Sequence, residues 1–161
     1  MNSIDLLDGD IILYQMAFSA AKPVMEHEAE DYNFSTVDRA STAEEGREKT
    51  WEEITTMIDE FMINLWKETG STFYHSYLSP PRAENFRSKV AWSKKYKGNR
   101  DNTELPKYFQ EIRQYLIDRW KFVQLEVIET DDMLGIMQHH YIKADDTYST
   151  IVSKDKDLKQ I

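Results

Sequence analysis

The chain has 161 residues, 40% of them apolar and 30% charged, with no cysteine. That is room for one folded domain with a real core, and it excludes disorder as a class, disulfides, thiolate metal sites and a cysteine nucleophile. No stretch approaches the roughly 18 apolar residues of a membrane span, and the start Met1-Asn2-Ser3-Ile4-Asp5 lacks the basic, then apolar, run of a secretory signal, so a cytoplasmic protein is expected.

In chain order, Ile4-Asp5-Leu6-Leu7 is a short apolar run that ends in Asp8-Gly9-Asp10 and is followed by Ile11-Ile12-Leu13-Tyr14-Gln15-Met16-Ala17-Phe18. This pattern predicts a strand, a tight turn at Gly9, and a helix started near Asp10, whose carboxylate suits a helix N-terminus. Residues 22–46 begin with Pro23 and continue acidic and polar without a period, which predicts a loop insertion. Over residues 47–69, Trp51, Ile54, Met57, Ile58, Phe61, Met62 and Leu65 recur at helical steps, and Gly70 closes the helix. Residues 71–78 are β-branched and aromatic and end at Pro80-Pro81, predicting a strand.

Residues 82–103 are basic and aromatic with no clean period. A helix is expected over 105–120, a strand over 122–128, a helix over 131–141, a strand over 148–153, and a further helix beginning at Asp155. Strands alternating with helices imply an α/β fold with a mostly parallel central sheet flanked by helices. There is no internal repeat.

The formal net charge is −9. Residues 82–121 nevertheless hold eleven Lys and Arg against five acids, so this stretch is positive and the remainder strongly acidic. A chain so divided can still bind a polyanion locally.

Three acidic clusters each fall at the C-terminal tip of a predicted strand: Asp8-Gly9-Asp10, Glu129-Thr130-Asp131-Asp132 and Asp155-Lys156-Asp157. In an open parallel sheet those tips border the ligand crevice. Carboxylates crowded into one pocket repel each other and lose hydration, and a hard divalent cation, Mg²⁺ or Mn²⁺, resolves the conflict. Such an ion polarises a phosphoryl oxygen and activates water, which points to phosphodiester cleavage. Each cluster alone is better explained as a helix N-cap. Three on one edge bring the metal reading level with that alternative.

Cations and rings interleave in Phe86-Arg87-Ser88-Lys89 and in Trp92-Ser93-Lys94-Lys95-Tyr96-Lys97-Gly98-Asn99-Arg100. Lys and Arg suit phosphates, and Tyr or Trp suits an unpaired base. Standing alone, the segment would be a solvated basic loop. Beside a metal pocket it would grip a strand.

Taken together, the ordered set Leu7-Asp8-Gly9-Asp10, Phe86-Arg87, Tyr96-Lys97-Gly98-Asn99-Arg100, Glu129-Thr130-Asp131-Asp132 and Ser153-Lys154-Asp155-Lys156-Asp157-Leu158 resembles the bacteriophage and bacterial 5′→3′ exonucleases of flap endonuclease type, within the PIN-like nuclease fold. The resemblance covers nearly the whole chain. It implies a metal-dependent DNA nuclease with Asp8, Glu129, Asp131, Asp132, Asp155 and Asp157 as metal-site carboxylates and Mg²⁺ or Mn²⁺ as cofactor, two ions in a complete enzyme.

By the same resemblance Lys97 and Arg100 are the catalytic phosphate contacts, in an arch or clamp over the single-stranded 5′ end formed by residues 82–103. Arg87, Lys94, Lys95 and Tyr96 join them in DNA binding. His27, His75, His139 and His140 match no motif. The family's usual aspartate after the second strand is replaced here by Ser79.

The resemblance also implies a further strand, more aspartates and a helix–hairpin–helix beyond Ile161. The chain is therefore expected to be the N-terminal portion of such a nuclease, in a host cytoplasm if phage-encoded, and completed in one reading by a second chain. Two alternatives stay open: a catalytically incomplete domain that binds DNA or a complementing partner, and a PIN-type ribonuclease.

Overall fold

Apolar runs pair into one parallel sheet, and the amphipathic stretches between them fold back as helices on its two faces. A computed structural model describes residues 2–24, 46–81, 89, 104–143 and 147–160. In chain order the elements are β1 (Asn2–Asp8), α1 (Gly9–Ala20), α2 (Trp51–Thr69), β2 (Phe73–Leu78), α3 (Phe109–Trp120), β3 (Val123–Gln124), α4 (Thr130–Ile142) and β4 (Thr147–Val152). A 3₁₀ turn, Lys156–Gln160, follows.

All four strands run parallel in the order β3-β2-β1-β4, as the alternating pattern implies. β1 sits inside the sheet, with Leu7 level with Ser76 of β2 and with Val152 of β4. The chain steps outward from β1 through β2 to β3, then crosses back to lay β4 on the other side of β1. The C-terminal ends of β1 and β4 therefore flank a reversal of strand order, the place where open α/β sheets form their crevice.

Successive side chains of a strand point to opposite faces, so β1 supplies both cores. Leu7 joins Leu13 and Met16 of α1, Ile54 and Ile58 of α2, and Ile112 and Leu116 of α3. Ile4 and Leu6 join Tyr77, Leu125, Leu158 and Leu134 of α4 on the reverse face. Asp59 of α2 binds α3 by accepting from Tyr115 Oη at 2.9 Å and Trp120 Nε1 at 2.8 Å.

Several boundaries differ from the sequence reading. α1 begins at Gly9, with Asp8 rather than Asp10 as its N-cap, so Gly9 is the first helical residue and not a separate turn. α2 begins at Trp51 because Thr50 and Glu53 close a capping box, Thr50 Oγ1 accepting from Glu53 N and Glu53 Oε2 from Thr50 N. α3 starts at Phe109, since Tyr108 is left-handed at φ 64°.

The strand expected over 122–128 shrinks to Val123–Gln124. Phe122 and Leu125 turn into opposite cores, while Val123 and Val127 stay half exposed at the sheet edge. The helix expected from Asp155 is a 3₁₀ turn. Of the expected insertion, residues 25–45 lie outside the described residues. Near its ends, Val24 and Arg47 form an antiparallel bridge, Val24 N donating to Arg47 O at 2.8 Å.

Gly9 is required by proximity. A Cβ at this position would lie 2.2 Å from the Tyr77 carbonyl oxygen and 3.0 Å from the Phe122 ring. Backbone oxygens of a central strand cannot step aside, so Gly9→Ala must push α1 away from β2. The expected cost is about 1–3 kcal/mol, the range of overpacked cores. Urea unfolding checks it, and a loss under about 0.5 kcal/mol, the size of an ordinary surface change, contradicts the tight fit.

Candidate functional site

The close approach at Gly9 seats Asp8 at the C-terminal end of β1, only 6% exposed. Both of its carboxylate oxygens are engaged: Oδ1 accepts from Ile11 N at 3.2 Å as the helix cap, and Oδ2 accepts from Ser153 Oγ at 2.6 Å. Ser153 Oγ also accepts from Asp155 N at 3.0 Å, and Asp155 Oδ1 from Asp157 N at 2.9 Å. One hydroxyl thus ties the β1 carboxylate to the acidic loop after β4, across the switch in strand order.

Burial pushes the Asp8 carboxyl above its usual value of 3.8. The hydrogen bonds from Ser153 and Ile11 oppose that shift, and the charges of Asp10 and Asp155 add to it. Asp10 and Asp155 are thus each within electrostatic reach of Asp8.

A second tie joins the remaining acidic cluster. Ser79, just past β2, donates its backbone N to Asp10 Oδ1 at 3.0 Å. Its hydroxyl accepts from Thr130 N at 2.9 Å and lies 3.2 Å from Thr130 Oγ1, which reaches the Tyr77 carbonyl at 3.3 Å. Thr130 opens α4 with Glu129 as N-cap, and Glu129 is buried. Asp131 is exposed and accepts from Asp132 N at 2.9 Å. Arg113 of α3 reaches the same node, donating from Nη2 to the Ser79 carbonyl and from Nε to Gln124 Oε1 at 3.3 Å.

Asp8, Asp155 and Asp157 are therefore joined through Ser153 in one chain of hydrogen bonds, and Glu129, Asp131 and Asp132 sit on the helix start that Ser79 fastens to Asp10. Among the described residues no three His, Asp or Glu side chains are gathered as a ready-made metal cage. The donor set still fits a hard divalent cation, because a buried carboxylate repelled by two others is the charge deficit such an ion fills. Arg87, Lys94, Lys95, Tyr96, Lys97 and Arg100, and His27, lie outside the described residues. His75 belongs to the reverse face, its Nε2 2.9 Å from Tyr141 Oη. No described helix is long and apolar enough to cross a membrane.

Sequence reasoning gave Arg113 no role, and saw Thr130, Ser153 and Ser79 only as letters of a motif or a departure from one. Their spacing carries no signal of their partners, which are tertiary. Another buried carboxylate, Asp5, lies in the middle of β1, three residues before Asp8, and accepts from Ser71 Oγ at 2.6 Å.

A parallel α/β sheet with carboxylates along the C-terminal edge of its switch point defines an acid-edged α/β domain. The family model for the 5′-3′ exonuclease, N-terminal resolvase-like domain, matches residues 3–161, and the chain belongs to that family. The PIN-like α/β architecture implied by the sequence motifs is the one observed. No curated protein and no solved structure matches the chain.

Asp8 gives this edge a measurable cost. Its folded-state pKa lies above the unfolded value, so the protonated form favours folding and the benefit is lost as pH rises through the folded pKa. Asp8→Asn keeps the helix cap and removes the buried charge. In chelator-containing buffer it should melt above the wild type at neutral pH, the gap closing as pH falls through the raised folded pKa and gone below the ordinary 3.8. A variant less stable than wild type at neutral pH contradicts this account of Asp8.

Proposed function

We propose that this domain hydrolyses phosphodiester bonds of DNA, at 5′ ends or flap junctions, using Mg²⁺ or Mn²⁺ held by the carboxylates of the sheet's C-terminal edge. The observation that carries this reading is Asp8: buried, raised in pKa, and facing the charges of Asp10 and Asp155 where strand order reverses. Membership of an exonuclease domain family supplies the reaction class.

Asp8 and Asp155 would hold the cation, with Asp157, Glu129, Asp131 and Asp132 around them. When bound, the ion supplies positive charge to the phosphate oxygens as negative charge grows on them. The protein's own part is orientation. Ser153 fixes Asp8 Oδ2, the Ile11 amide fixes Oδ1, and each oxygen keeps a further lone pair for a cation. Ser79 holds the α4 cluster in register with Asp10, so the two groups of acids cannot drift apart.

The basic, ring-rich stretch around Tyr96, Lys97 and Arg100 would grip the single strand, with Lys97 and Arg100 against the reacting phosphate and Arg87, Lys94 and Lys95 along the backbone. This part rests on sequence alone.

Asp155→Asn is the sharpest test, since Asp155 is exposed and its loss leaves the core intact. On end-labelled flap DNA with Mn²⁺, metal-dependent release should fall by roughly two orders of magnitude or more, with unchanged melting in chelator. Undiminished cleavage by the variant overturns the metal assignment. If the wild type binds DNA without cutting it, the domain is a binding module completed by another chain. Preferential cutting of RNA makes it a PIN-type ribonuclease.

A further inference from the structure

Arg113 is absorbed by none of the motifs, yet it stands at the acidic edge. Its position is fixed twice by neutral acceptors: Nη2 by the Ser79 carbonyl and Nε by Gln124 Oε1 at 3.3 Å. Neither acceptor carries charge, and among the described residues no carboxylate lies within ion-pair distance of it. The guanidinium is half-buried, and Asp10 and Tyr14 are near enough to act on it electrostatically. The guanidinium has five N–H donors. Two are used here, so the fork keeps both its charge and donors for an incoming anion.

Two further points favour a phosphate as that anion. An edge made of carboxylates repels a polyanion, so a strand brought to it needs a cation at the rim. A guanidinium already held in place loses little side-chain freedom on binding and matches phosphate geometry in a bidentate way. Ser79, the residue that holds Arg113, also holds Asp10 and Thr130, so an anion on Arg113 would sit beside both acidic clusters.

We propose that Arg113 is a phosphate-binding residue for single-stranded DNA, receiving one backbone phosphate of the strand as it reaches the carboxylate edge. This rests on the nuclease reading and adds a contact outside the basic stretch of residues 82–103.

The test uses the full chain, a fluorescent single-stranded oligonucleotide, and chelator to prevent cutting. Binding is measured across a range of salt for wild type, Arg113→Gln, Arg113→Lys and Arg119→Gln. Arg119 is the control: it belongs to the same helix but lies at the opposite end of the sheet, 3.8 Å from Asp59. A lost phosphate contact lowers the salt slope of log affinity by about 0.7 for a single strand, and Arg113→Gln should show that drop with roughly tenfold weaker binding. Arg113→Lys should keep the wild-type slope, and Arg119→Gln should behave as wild type.

An unchanged slope in Arg113→Gln overturns the contact while leaving the nuclease reading intact. Equal losses of slope in Gln and Lys, each with a lowered melting temperature, make Arg113 only a prop for Ser79 and also overturn it. A wild type that binds no DNA overturns both proposals together.

Discussion

The Ser153 hydroxyl, 2.6 Å from Asp8 Oδ2, joins residues 145 positions apart and closes the sheet edge on which the rest of the molecule depends. It forms only because β4 lies beside β1 in parallel register, which in turn requires the chain to cross back over the sheet after β3. With the bond in place, Asp8 serves two roles that compete. As a helix cap it is well satisfied. As a charge it is buried among like charges, a cost the fold carries whenever no cation offsets it.

Gly9 shows how narrowly that arrangement is built. The Tyr77 carbonyl lies where a side chain on residue 9 would begin, so α1 leaves β1 hard against β2. This keeps Asp8 and Asp10 on either side of one glycine and brings Asp10 to the Ser79 amide. Ser79 then reaches α4 through Thr130 and α3 through Arg113. Elements far apart in sequence thus meet at one serine, which occupies the place where related nucleases were expected to carry an aspartate. A hydroxyl and an amide there organise the acids without adding another charge to them.

Much of this was legible in the letters. β1, β4 and α4 were found within one or two residues because their apolar periodicity and flanking acids are local signals. The parallel sheet followed from alternation alone. What failed was local ambiguity settled by tertiary contacts. Phe122 to Ile128 reads as a strand, but only Val123–Gln124 pairs with β2, and the chain bends over residues 126–128 on its way to α4. Asp8 and Asp10 are equally good caps on paper, and the packing of Gly9 on Tyr77 decides between them. The partners of Ser153, Ser79 and Arg113 lie on other elements, where periodicity has nothing to say.

The central claim is that Asp8 and Asp155 act on one shared divalent ion. Mn²⁺ binding followed by electron paramagnetic resonance tests it without any substrate. Asp8→Asn and Asp155→Asn should each weaken Mn²⁺ affinity, by at least the roughly 10- to 100-fold that follows loss even of a ligand's supporting partner, while Asp5→Asn, mid-strand in β1 and bonded to Ser71, leaves it unchanged. Equal Mn²⁺ affinity in wild type and both edge variants would contradict the account.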